Sequence, residues 1–64
     1  MIVNGKEMDL PSGITVTELL EQLNLSQNSI VVAISLVVVP KEKYSSTILN
    51  QEDQVEIIRL VGGG

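Results

Sequence analysis

The chain closes on Val61-Gly62-Gly63-Gly64, and elsewhere the residues that could do chemistry are few. It contains no histidine and no cysteine, which removes the usual general base, the thiol nucleophile and the zinc-ligand set. Ser12, Ser26, Ser29, Ser35, Ser45 and Ser46 have no base beside them to activate a hydroxyl. Glu52-Asp53 is a carboxylate pair that could be imagined as a cation site, but its place in a turn cluster reads as a solvated loop. Lys6, Lys41, Lys43 and Arg59 come without a glycine-rich loop to cradle phosphate. Tyr44, the single aromatic residue, is expected to pack its ring on the edge of the core and keep its hydroxyl in water. No enzyme activity, cofactor or metal is expected. What remains is the α-carboxylate of Gly64. A carboxylate is inert until an oxygen becomes a leaving group, for example by adenylation with ATP in a partner's active site, and the acyl adenylate can then accept sulfur. Glycines suit such a route because they lack Cβ, so a run of them is thin, flexible and able to enter a narrow channel. Taken alone, the same run reads equally well as a frayed end, and the preceding residues have to decide.

Composition bounds what those residues can be. A chain of 64 residues is one domain, near the lower limit for a core without staples, with an expected stability of about 3–5 kcal/mol. The core must be aliphatic, since 44% of the chain is hydrophobic and almost none of that is aromatic. A formal charge of −4 argues against nucleic-acid binding, which needs a basic stripe to neutralise phosphates. The longest apolar run, residues 30 to 39, is too short to span a membrane and is broken by Ser35. The N-terminus lacks a basic segment followed by an apolar one, so no export signal is expected, and the absence of thiols fits a reducing cytoplasm.

The positioning elements follow from pattern. Met1, Ile2 and Val3 lead into Asn4-Gly5, the dipeptide that best tolerates two positive φ angles, and Lys6 to Leu10 is expected to return as a second strand. Pro11-Ser12-Gly13 breaks that strand. Thr15-Val16-Thr17-Glu18 matches a capping box, and Val16, Leu19, Leu20 and Leu23 then fall at i, i+3, i+4 and i+7 on one apolar helix face. The β-branched run Ile30 to Val39 is one strand or a hairpin; a hairpin needs its turn near Ser35-Leu36, where leucine is a poor residue for positive φ. Pro40 ends it, Lys41 to Tyr44 suits a single helical turn, and Asn50 to Asp53 is a turn cluster. Val55, Ile57 and Leu60 belong to a last strand running into the glycines. Strand, strand, helix, strand or strands, irregular segment, strand is most economically an α+β β-grasp: one mixed sheet of four or five strands with one helix across its face. The first and last strands would be parallel central neighbours. Residues 1–60 form the expected domain and residues 61–64 the flexible glycine tail.

Over its whole length the chain resembles the thiamine-biosynthesis sulfur carrier family, small ubiquitin-like β-grasp proteins ending in Gly-Gly. The matching pieces are Val3-Asn4-Gly5-Lys6, Val16-Thr17-Glu18-Leu19-Leu20, Val38-Val39-Pro40-Lys41 with Tyr44 following, Val55-Glu56-Ile57-Ile58, and Val61-Gly62-Gly63-Gly64. The resemblance implies a carrier rather than an enzyme. Gly64 would be adenylated by an E1-like adenylyltransferase and converted to a thiocarboxylate with sulfur drawn from cysteine by a desulfurase or another donor. Thiazole synthase would accept that sulfur, and Gly62 and Gly63 would thread Gly64 to each active site. The small subunit of molybdopterin synthase and ubiquitin-like protein modifiers are the alternative readings of the same tail.

The chain departs from that family at two turns. Family members commonly carry an Asn-Gly type turn between the third and fourth strands, where Ser35-Leu36 stands here, and a Gly-Asp turn before the last strand, where Glu52-Asp53 stands. Leu36 and Val37 are therefore candidates for an exposed apolar edge that docks a partner or a second copy, against a buried irregular crossover as the alternative. Leu60 and Val61 are candidates for contact with whichever partner takes the tail.

Overall fold

In the computed structural model, which describes residues 1–60, Asn4 and Gly5 take φ angles of 52° and 80° and turn strand β1 (Ile2–Val3) back onto β2 (Lys6–Glu7). Two successive left-handed residues are what a type I′ hairpin turn requires. β2 is shorter than the return expected over Lys6 to Leu10. Met8 N–H still donates to the Met1 carbonyl at 2.8 Å, but Leu10 N–H folds back onto the Met8 carbonyl, and the chain leaves the sheet before Pro11.

Helix α1 (Val16–Gln22) has both ends closed by its own sequence. Thr15 Oγ1 accepts from Glu18 N–H at 3.1 Å and Glu18 Oε1 accepts from Thr15 N–H at 2.8 Å, a capping box worth about 1 kcal/mol. At the other end Asn24 is left-handed, at φ 57°; its N–H donates to the Glu21 carbonyl and Leu25 N–H donates to that of Leu20. These two bonds are a Schellman closure, with asparagine where glycine is commoner. Val16, Leu19 and Leu20 are buried, as the helical spacing predicts, while Leu23 sits half-buried at the margin of the core.

The aliphatic run is a hairpin, not one strand. β3 (Ile30–Ile34) pairs antiparallel with β4 (Val37–Val38), and the turn between them puts Ser35 at φ 49° and Leu36 at φ 71°. The backbone therefore makes the same turn as at Asn4-Gly5 with residues that resist it. Ile30 and Val32 face the helix, and the alternation they impose along β3 is continued across the turn by the pairs Ala33↔Val38 and Ile34↔Val37. After Val39, whose N–H donates to the Val32 carbonyl at 2.9 Å, Pro40 starts a 3-10 turn (Lys41–Lys43) that carries Tyr44 inward. Tyr44 is 1% exposed, and its hydroxyl accepts from Val32 N–H at 3.2 Å. The expectation that this hydroxyl stays in water is thus corrected: it supplies the acceptor that β4 no longer offers once the chain turns away.

The turn at Asn50–Asp53 is closed by Asp53 Oδ2, which accepts from Asn50 N–H at 2.8 Å. It is also fastened to the start of the chain, because Gln51 Nε2 donates to the Leu10 carbonyl at 2.9 Å and Gln51 Oε1 accepts from the Met1 amine at 3.3 Å. β5 (Gln54–Arg59) then enters the middle of a five-stranded sheet ordered β2-β1-β5-β3-β4. It runs parallel to β1 and antiparallel to β3, completing the expected α+β β-grasp with the first and last strands as parallel neighbours. Leu60 lies one residue beyond β5 rather than within it. Helix and sheet close on Val16, Leu19, Ile30, Val32, Leu49 and Val55, all essentially without solvent contact.

Two substitutions check these assignments by urea unfolding. Leu36→Asn, which relieves a left-handed leucine, is expected to raise the unfolding free energy by about 0.5–1 kcal/mol. Tyr44→Phe, which leaves Val32 N–H without its acceptor, is expected to lower it by about 1–3 kcal/mol.

Candidate functional site

β5 delivers the chain to its last four residues, and its course is fixed on both flanks. On one side β3 pairs with it from Ile30↔Arg59 to Ile34↔Val55. On the other, β1 pairs at Ile2↔Gln54 and Val3↔Val55, and Asn4 continues the ladder where β1 ends. Asn4 N–H donates to the Val55 carbonyl at 2.9 Å, and Asn4 Oδ1 accepts from Ile57 N–H at 2.7 Å. One asparagine thus makes the first hairpin turn and satisfies the central strand. Leu60 N–H donates to the Ser29 carbonyl at 2.9 Å. Ser29 ends a 3-10 turn (Gln27–Ser29) capped by Ser26, whose Oγ accepts from Asn28 N–H. The last described residue is therefore anchored, and the chain's exit point is set by the fold.

Alternation along β5 sends Val55 and Ile57 into the core and Gln54, Glu56 and Ile58 to the sheet face that the helix leaves open. Ile58 lies across from half-buried Val31. Ile58 is 53% exposed and Leu60 47%. Together they form an apolar surface beside the exit point, which singly scattered exposed residues would not. Sequence reasoning named Leu60 but missed Ile58 and Val31. The available signal was the pair Ile57-Ile58 in a strand, since one of two adjacent isoleucines must face away from the core.

The other expected docking residues lie elsewhere. Leu36 and Val37 are exposed on the β3–β4 hairpin, so a buried crossover is excluded. Because β3 runs against β5, that hairpin sits beside the start of β5, roughly 17 Å along the sheet from Leu60 at the usual strand rise. The set Leu36, Val37 and Leu60 is thus two surfaces rather than one. Val61, Gly62, Gly63 and Gly64 lie outside the described residues.

Among the described residues no group of three or more acidic side chains could hold a metal ion, and no helix is long and apolar enough to cross a membrane. Asp53 is committed to its own turn and Glu52 is exposed, in keeping with a solvated loop. A shallow depression of about 570 Å³ is lined by Ile2, Asn4, Gly5, Gln54, Val55 and Glu56; it opens widely to solvent at the end of β5 away from Leu60.

A small ubiquitin-like β-grasp domain whose central last strand leads out beside an apolar sheet face is the class of protein that this fold and site define. The model of the ThiS family matches residues 1–64, and the chain belongs to that family. It is 34% identical over 64 residues to the sulfur carrier protein ThiS of Escherichia coli, covering 97% of that protein. It is 33% identical, again over its full length, to a thiazole synthase of Paramagnetospirillum magneticum, but spans only 20% of that relative's length. Among solved structures, the crystal structure of the thiamine biosynthesis protein ThiS from Geobacter metallireducens superposes with a TM-score of 0.80 at 33% identity, over 98% of this chain and 96% of that one.

The double role of Asn4 is open to measurement. Asn4→Gly keeps the turn and removes the side-chain acceptor, so the Ile57 amide is expected to exchange faster while stability falls by about 1–3 kcal/mol. Asn4→Ala adds the left-handed strain and is expected to cost about 1 kcal/mol more.

Proposed function

We propose that this chain carries sulfur for thiamine biosynthesis at the carboxylate of Gly64. The family match across all 64 residues, glycines included, is the observation that carries the reading. The fold supports it by presenting the exit of β5 beside the open apolar face. In the proposed cycle an E1-like adenylyltransferase takes up the tail and the Gly64 carboxylate attacks the α-phosphorus of ATP, releasing pyrophosphate. A desulfurase converts cysteine to alanine and holds its sulfur as an enzyme persulfide, whose terminal sulfur displaces AMP to form an acyl disulfide. A thiol then attacks the enzyme-side sulfur, forming a new disulfide and releasing the Gly64 thiocarboxylate. Thiazole synthase receives that sulfur to build the thiazole phosphate moiety. Gly62 and Gly63 thread the carboxylate into each site, and the chain supplies a reacting group but no catalyst of its own. A cytoplasmic location fits these ATP-dependent steps. Ile58 and Leu60, with Val61, form the contact surface for the enzyme that holds the tail.

Incubation with the adenylyltransferase, ATP, a cysteine desulfurase, cysteine and a thiol reductant, read by intact mass, tests the reading. The expected result is exchange of one terminal oxygen for sulfur, abolished by deleting Gly64 or by Gly63→Trp. Ile58→Asp, at an exposed position, is expected to fold normally and lower kcat/KM for adenylation about tenfold or more. An unmodified chain under every condition refutes the carrier role, and a ladder of heavier conjugates assigns the tail to protein modification instead.

A further inference from the structure

The two edges of the sheet are guarded very differently. β2 ends the sheet with Lys6 and Glu7, both exposed and charged, the usual protection against unwanted strand pairing. β4 ends it with Val37 and Val38, exposed and apolar, between Leu36 and Val39-Pro40, and no charged side chain occurs from residue 36 to residue 40. Leu36 at the turn is 86% exposed while held at φ 71°. An exposed leucine in the left-handed region adds nothing to the core and strains the backbone, and such strain persists where a contact makes use of the residue.

We propose that the outer edge of β4 pairs with the same edge of a second copy of this chain, antiparallel and centred on Val38. Hydrogen bonding within the hairpin dictates the centre. Val39 N–H donates inward to Val32, and Ala33↔Val38 is the next pair, so by the alternation of an antiparallel ladder the N–H and C=O of Val38 point outward. Across a twofold axis, each Val38 N–H donates to the other copy's Val38 carbonyl. The register then sets Leu36 opposite Pro40 and Val37 opposite Val39. Pro40 has no N–H to donate, so the ladder ends there, and each facing pair is apolar on both sides. The segment is therefore complementary to itself, which a foreign strand would have to match by its own design and a second copy matches by symmetry.

The contact is short, well below the area of a standard stable interface, so the pairing is weak and concentration-dependent. Each copy carries −4, but residues 36 to 40 contribute none of it, so the repulsion between copies is long-range and screened by salt. Association therefore strengthens as ionic strength rises. The pairing lies two strands away from β5 and does not rest on the sulfur-carrier reading.

Sedimentation equilibrium on the full chain from about 20 µM to about 1 mM, at low and high salt, tests this. The wild type is expected to rise from the mass of one chain toward that of two, more steeply at high salt. Val38→Pro removes the outward N–H at an edge position where proline is tolerated, and is expected to stay monomeric with an unchanged circular dichroism spectrum. Leu36→Asn, which suits the turn and so retains the fold, is expected to weaken association several-fold. A wild type that is monomeric throughout overturns the proposal. So does association that Val38→Pro and Leu36→Asn leave unchanged, or that salt weakens.

Discussion

The parallel pairing of Ile2-Val3 with Gln54-Val55 is the constraint on which the rest depends. It joins the two ends of the described chain, so it forms only after the helix crossover and the β3–β4 hairpin have brought β5 back to the centre. Two backbone pairs would not hold it unaided. Asn4 extends it through Val55 and Ile57, Gln51 ties the preceding turn to Leu10 and Met1, and Val3 and Val55 bury their side chains under the helix. With β5 so fixed, Leu60 emerges at one defined point beside Ser29. A chain this small, with no cysteine to cross-link it, has little stability to spare. Its polar side chains accordingly close the backbone's loose ends rather than decorate the surface.

Elements with a strong local signal were legible in the sequence. The Asn4-Gly5 turn, the Thr15–Glu18 capping box and the apolar face of α1 are set by residues within a turn of one another, and each forms as its residue types require. The order of elements pointed to the β-grasp, because few packings suit a single helix and so few strands. The hairpin at Ser35-Leu36 was open in the sequence because local preference and tertiary pairing disagree there: leucine resists φ 71°, yet β3 reverses at that point to pair with β4 while its other edge pairs with β5. Tyr44 misled for a related reason. Its hydroxyl has a partner only because Pro40 diverts the chain and strands the Val32 N–H, a relation between distant residues that no window of sequence contains.

Of the candidate site, the sequence exposed the ends and hid the surface between them. Glycines and a terminal carboxylate are visible as residue types; an apolar face is not, since Ile58 and Val31 look like any other strand aliphatics until the sheet assigns their sides. The same geometry sets the two expected docking surfaces apart, one beside Leu60 and one at Leu36 on the opposite end of the sheet. That separation suits a proposed carrier, whose tail-proximal face must engage and release successive enzymes while the far edge of the sheet is left for other contacts.

The central claim is that sulfur passes through Gly64 on its way into thiamine. It is tested most directly by a single turnover: the chain is loaded with isotopically labelled sulfur from cysteine, freed of the loading enzymes and given to thiazole synthase with its remaining substrates. The predicted result is loss of the label from the chain and its appearance, in equal amount, in the thiazole product. Label that stays on the chain, or unlabelled thiazole formed just as fast without it, would contradict the claim.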